Sequence, residues 1–128
     1  MRDNTAANLA NAIFSGKITP AEASAAFPIA INNLTYTDDN PLFCNNTRSR
    51  AAWLLAALKL EPDVSVPALM QGLEDTNLNV AADCAFALGN FRQQAKPAIP
   101  MLTKAASSTN RLLSIYANQA LGMIQDAK

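Results

Sequence analysis

Two landmarks of this chain recur after the same interval, and that limits its possible folds more than any other feature. The pentapeptide ALGNF at residues 87–91 returns as ALGMI at 120–124, and Pro67 in VSVPALMQGL returns as Pro100 in PAIPMLTKA. Both intervals are 33 residues. Separate landmarks that share one shift mark a repeat architecture, in which each unit buries its apolar face only against its neighbours. The shift pairs Val80 with Leu113, Cys84 with Ala117, Leu88 with Leu121 and Phe91 with Ile124, and it reaches back to Thr47, Ala51, Leu55 and Leu58. Steps of 4, 4 and 3 put each set on one face of an α-helix and predict that the stripe is buried. Three candidate first helices precede these three second helices: FPIAINNL from Phe27, VPALMQGL from Val66 and IPMLTKAA from Ile99. The first interval is 39 residues, because TYTDDNPLFCNN is longer than the turns EDTN and SSTN. An inserted turn over 36–47 follows.

Local chemistry supports these boundaries. Asn77 and Asn110 are placed to cap the helices after them, their side-chain oxygens accepting first-turn N–H groups. Pro97 fits the first position of a helix, where its missing donor costs nothing. The stretch Thr19 to Glu22, TPAE, reads as a capping box that opens one more helix after a break at Ser15 to Lys17. Residues 5–14 form a short amphipathic helix through Leu9 and Ile13, a cover for the first repeat. Composition agrees with packed helices: half of the 128 residues are hydrophobic, with only 4 Gly and 6% aromatic. That length is one domain's worth of chain.

The unit from Val66 to Phe91, VPALMQGLEDTNLNVAADCAFALGNF, has a proline opening its first helix, Asp75 ending it, and a capped second helix of the form V...A..ALG... In this it resembles the HEAT repeat, above all the short variety of bacterial HEAT-like proteins and bilin lyases. Residues 96–125 match less well and 27–60 only loosely. The resemblance implies an all-α, right-handed α-solenoid of about three helix pairs: N-terminal capping helices at 1–26, then repeats at 27–60, 63–91 and 96–126. Such proteins commonly carry an arginine just after the position of Val80. This chain has Ala81 there and Ser114 in the third copy, so an arginine contact between repeats is expected to be missing. Neither the TPLH start of ankyrin repeats nor the Trp/Gly/Tyr signature of tetratricopeptide repeats occurs.

Chemistry is sparse. With no His, the chain lacks the commonest general base, the usual triads and histidine-ligated metal sites. No glycine-rich phosphate loop is present. The carboxylate pairs Asp38/Asp39 and Glu74/Asp75 fall at turns, where acids cap helices. Cys84 lies on the buried stripe and reads as a small core residue, whereas Cys44 in the insertion is expected to be exposed. Two cysteines without metal or redox spacing, and an N-terminus lacking an apolar run, point to a reduced, cytoplasmic protein without a membrane span. No catalytic residue, metal or cofactor is expected.

Binding has more support. The shift that carries Phe86 back to Trp53 and forward to Gln119 predicts two rings in register along the second helices, spaced by the ~8 to 10 Å between packed helices. Arg50, Asp83 and Tyr116 fall on the adjoining row, with Asn90 on the other side. These seven residues are the candidate site for a protein or peptide partner, on the face that HEAT-like arrays use for binding. The alternative implied by the bilin lyases is an open-chain tetrapyrrole beside Trp53, Phe86 and Tyr116. Zero net charge speaks against nucleic acid, although charges segregate, acidic from Glu61 to Asp83 and basic from Arg92 to Arg111. The last helix, RLLSIYANQALGMI, carries more apolar residues than one inner face uses, and a homodimer through it is expected.

Overall fold

The computed structural model describes residues 9–36 and 41–126, with side chains at 9–36 and 46–125. Every regular element among them is helical: α1 over 9–14, α2 (Phe27–Asn33), α3 (Pro41–Leu58), α4 (Pro62–Gly72), α5 (Leu78–Asn90), α6 (Ile99–Ala106) and α7 (Arg111–Asp126), with 3-10 segments at Ser24–Ala26 and Arg92–Ala98. Cys44, like residues 1–8 and the Asp38/Asp39 pair, lies outside the described side chains.

The 33-residue shift recurs in hydrogen bonds and backbone angles. At the start of α5, the Val80 N–H donates to Asn77 Oδ1 at 3.1 Å and the Asn77 N–H donates to Asp75 Oδ1 at 2.8 Å. At the start of α7, the Leu113 N–H donates to Asn110 Oδ1 at 2.9 Å and the Asn110 N–H donates to Ser108 Oγ at 3.0 Å. Helix ends repeat too. Lys59 (φ 49°) and Arg92 (φ 55°) both turn left-handed, 33 residues apart, just beyond Leu58 and Phe91. That conformation is costly for residues with a Cβ, and here it occurs at matching positions after α3 and α5.

Several boundaries differ from the sequence reading, and proline accounts for most of them. The Thr19/Glu22 capping box forms, with the Thr19 N–H donating to Glu22 Oε1 at 2.8 Å and the Glu22 N–H to Thr19 Oγ1 at 3.1 Å. It opens a turn and then the 3-10 segment Ser24–Ala26 instead of an α-helix. Pro28 at the start of α2 has no N–H for the Ser24 carbonyl, so an α-helix cannot run through from residue 20. Pro97 is likewise not a helix opener. It sits inside the 3-10 segment, and Pro100 holds the opening position of α6. Two prolines three residues apart remove two rungs of the α ladder, which leaves an unusually long 3-10 run. The insertion at 36–47 is partly helix: α3 begins at Pro41 and reaches 18 residues, against 13 in α5.

Packing centres on α5, which lies against α3, α4 and α7. A helix enclosed on so many sides must be apolar nearly all round and narrow. Accordingly Val80, Ala81, Ala82, Cys84, Ala85, Ala87, Leu88 and Gly89 are all buried. Of the stripe residues, Leu113, Ala117 and Ile124 are buried as expected, whereas Leu121 is only partly so. Glycine sets two of the contacts. A Cβ on Gly72 would collide with Cys84 Sγ, and a Cβ on Gly89 would lie 2.9 Å from Ala120 Cα. In the next repeat Ala105 and Ala117 stand where Gly72 and Cys84 stand, so the volume lost from one helix is restored on the other. Gly122, the counterpart of Gly89, faces open space.

An arginine does join neighbouring helices, contrary to the expectation drawn from Ala81 and Ser114. Arg48 occupies the same slot in the first copy, just after Thr47. Its Nε and Nη2 reach Asp75 Oδ2 and Oδ1 at 2.7 and 3.2 Å, and Nη1 donates to the Tyr36 carbonyl at 2.9 Å. Both side chains are nearly buried, 11% and 12% exposed. A planar guanidinium matches a carboxylate in this two-pronged manner, and the pair joins α3 to the end of α4. In the next repeat both partners are small, Ala81 and Ser108, so the pair is replaced as a unit.

Matched substitutions test the packing. Gly89→Ala forces α5 and α7 apart and is expected to cost about 1 to 3 kcal/mol, as overpacking does. Gly122→Ala at the equivalent position should gain up to about 1 kcal/mol, because only helix propensity changes. Urea titrations that gave both the same sign would contradict the close approach. Gly72→Ala should also destabilise, and Cys84→Ala in the same chain should recover most of the loss, with a coupling of about 0.5 to 3 kcal/mol. Additive losses would show that the two residues do not touch.

Candidate functional site

The aromatic residues of α3, α5 and α7 form a continuous row. Trp53 and Phe86 have ring centroids 4.6 Å apart with planes inclined at 35°, and Phe86 and Tyr116 are 5.9 Å apart at 44°. The spacing expected from packed helix axes is therefore corrected. The rings lean together and touch, an arrangement that adds to the burial energy of each. The row continues through Tyr116 and not through Gln119, the shifted counterpart of Phe86, which is exposed on α7. Trp53, Phe86 and Tyr116 are each only half-buried, so the row keeps an accessible edge.

A fourth ring comes from the N-terminal helix. Phe14 meets Trp53 edge-on at 6.0 Å and 89°, and Phe86 at 6.3 Å and 62°. Helix α1 thus reaches both α3 and α5, beyond the cover of the segment 27–60 expected for it. The sequence pattern does not single out Phe14, because Leu9 and Ile13 mark the apolar stripe. The available signal is Ala10 and Phe14, one turn apart on an adjoining stripe.

Asp83 fixes the Trp53 ring. Indole Nε1 donates to Asp83 Oδ1 at 3.1 Å, and the Ser49 side chain also hydrogen-bonds this carboxylate. Burial pushes the Asp83 carboxyl above its ordinary value, and the two hydrogen bonds offset part of that rise. Beside it lies a cleft of about 350 Å³ lined by Ala10, Asn11, Asn46, Ser49, Arg50 and Trp53, with Asp83 in its wall. The structure thus brings Arg50 and Asp83 together at one end of the row. Asn90 is turned back on its own helix, its Nδ2 donating to the Phe86 carbonyl at 3.0 Å.

Two other clefts are related by the repeat. One of about 340 Å³ is lined by Arg48, Ala68, Gln71, Gly72 and Asp75, and one of about 520 Å³ by Met101, Lys104, Ala105, Ser108 and Leu113. The shift carries Ala68, Gln71, Gly72 and Asp75 onto Met101, Lys104, Ala105 and Ser108. The second carries Ser108 in its wall where the first has Asp75.

Cys84 is fully buried, and burial pushes its thiol far above the ordinary value, the reverse of what a nucleophile needs. Among the described residues, no group of three His, Cys, Asp or Glu is placed to hold a metal, and no helix is long and apolar enough to cross a membrane. On α7, Leu112 and Ile115 are exposed, while Tyr116, Leu121 and Met123 are partly covered. No protein-family model, curated protein or solved structure matches the chain.

The raised Asp83 carboxyl gives a pH dependence. The folded protein holds this proton more tightly than the unfolded chain, whose value is near the ordinary 3.8. Its contribution to stability is therefore present at low pH and is lost as pH rises through the raised value. Asp83→Asn keeps an oxygen acceptor for Trp53 and removes the ionisation. The difference in urea midpoint between the Asp83→Asn and wild-type chains should shift in favour of the variant as pH rises through and above the ordinary carboxylate range, then level off. Parallel curves would show that Asp83 is not desolvated.

Proposed function

We propose that the chain is a short HEAT-like solenoid, a right-handed stack of three helix pairs, and that it binds a protein or peptide through the face of α3, α5 and α7. The repeat in the hydrogen bonds at Asn77 and Asn110, and in the left-handed residues Lys59 and Arg92, supports the architecture. One observation carries the function. The alternate helices α3, α5 and α7 each contribute a ring to a single row that keeps a partly exposed edge, and aromatic residues with a polar rim are the composition of binding hot spots. Trp53 and Phe86 are the anchors, Tyr116 extends them, and Arg50 and Asp83 set the polar end. Asn90 and Gln119 lie to the sides and contribute little.

The chain contains a single tryptophan, so its fluorescence reports on this site alone. Peptides selected from a display library of amphipathic helices should change Trp53 emission saturably. Calorimetric titration of the same peptides against Trp53→Ala or Phe86→Ala should show binding weakened by about 1 to 3 kcal/mol per ring, with helical circular dichroism retained. Lys104→Ala should change little. Selected peptides that bind both ring variants as tightly as wild type would overturn the proposal.

A further inference from the structure

The geometry points to a specific class of partner for this face, and to α1 as its occupant in the free protein: the ligand is an amphipathic helix with a small residue and, four positions on, a phenylalanine, which displaces α1. This inference rests on the proposal that the α3, α5 and α7 face binds a peptide.

Helix α1 presents this pattern. Ala10 is 1% exposed and lets the α1 backbone approach the wall of the cleft formed by Ser49, Trp53 and Asp83, while Phe14, one turn on, lays its edge against both Trp53 and Phe86. Residues four apart share a helix face, so a groove of this shape reads a small and an aromatic side chain together. The fit is incomplete in two respects. Phe14 remains 45% exposed, and a solvent-open cleft of about 350 Å³ lies beside α1, walled by the Asn46, Ser49, Arg50 and Asp83 side chains. A helix with a longer polar side chain beside its small residue would fill the cleft and outcompete α1.

The connection of α1 to the rest of the chain suits an exchangeable occupant. It ends in a left-handed cap, with Gly16 at φ 81°, its N–H donating to the Ile13 carbonyl at 3.0 Å and the Lys17 N–H to the Ala12 carbonyl at 2.9 Å. Residues 15–17 are exposed, and nothing lies within 4 Å of where a Gly16 Cβ would be. The exposed 15–17 segment is where the chain would bend as α1 leaves the face, a movement that uncovers Ala10 and the partly buried Leu9 and Ile13.

The test uses the full chain and a synthetic peptide of residues 8–18, read by Trp53 emission. Phe14→Ala should expose the indole edge and shift its emission to longer wavelength, and the peptide should reverse this saturably, whereas a peptide carrying the same Phe14→Ala change should not. Wild type should respond at least tenfold more weakly, because its own α1 competes at an effective concentration of about millimolar. Gly16→Val, strained at a left-handed position but remote from the rings, should move the response in the same direction and guards against misfolding of the first variant. Library-selected helices should bind Phe14→Ala at least tenfold more tightly than wild type. If they bind both equally and still depend on Trp53 and Phe86, the binding face stands and the displacement of α1 is wrong. If the 8–18 peptide leaves the Phe14→Ala emission unchanged, α1 is not a ligand of this face.

Discussion

The close approach of α5 to its neighbours is the constraint on which the rest of this structure depends. A helix enclosed by α3, α4 and α7 has room only for small side chains over most of its circumference, and Ala81, Ala82, Ala85, Ala87 and Gly89 supply them. Gly72 admits Cys84 from one side, and Gly89 admits Ala120 from the other. While Leu55, Leu88 and Ile124 fill the core, the aromatic side chains of α3, α5 and α7 lie at one edge of the layer. There Trp53, Phe86 and Tyr116 meet, and so the packing that closes the core also assembles the aromatic row.

Charge has a narrower part. The Arg48 and Asp75 pair fastens α3 to the turn after α4 with a two-pronged contact, and Asp75 also accepts the Asn77 N–H at the start of α5. Removing one member would strand a nearly buried charge, a far larger loss than any exposed pair could inflict. The next interface uses Ala81 and Ser108 instead, and Ser108 retains only the turn-closing role, accepting the Asn110 N–H. Two contacts related by the 33-residue shift are therefore made by different means while the register is kept. Elsewhere Asp83 commits a half-buried carboxylate to orienting Trp53, a cost to the fold at neutral pH that keeps the indole aligned with Phe86.

What is legible in the sequence is what is local or strictly periodic. The caps at Asn77 and Asn110, the buried stripe through Val80, Cys84 and Leu88, and the pairing of Trp53 with Phe86 in register all follow from spacing alone. The role of Arg48 is hidden because its counterparts are Ala81 and Ser114, and because its partner lies 27 residues away, a distance no periodicity encodes. The third ring does not fall in Gln119's column, because a rigid shift assumes identical composition around every helix. Tyr116, one turn earlier on α7, reaches Phe86 instead. Pro28 and the Pro97/Pro100 pair replace expected α-helix with 3-10 turns, an effect visible in the residues but not in the repeat. Phe14 makes a tertiary contact between distant segments, and only the structure places it.

Four rings from α1, α3, α5 and α7 meeting along one edge are the centre of this arrangement. Selective labelling of the Trp, Phe and Tyr rings, followed by nuclear Overhauser measurements in solution, examines that directly. Cross-peaks are predicted from the Trp53 indole to Phe86 and Phe14, and from Phe86 to Tyr116, all within the ~6 Å reach of neighbouring rings. Absence of the Trp53 to Phe86 cross-peaks in a folded sample would contradict the register from which the whole arrangement follows.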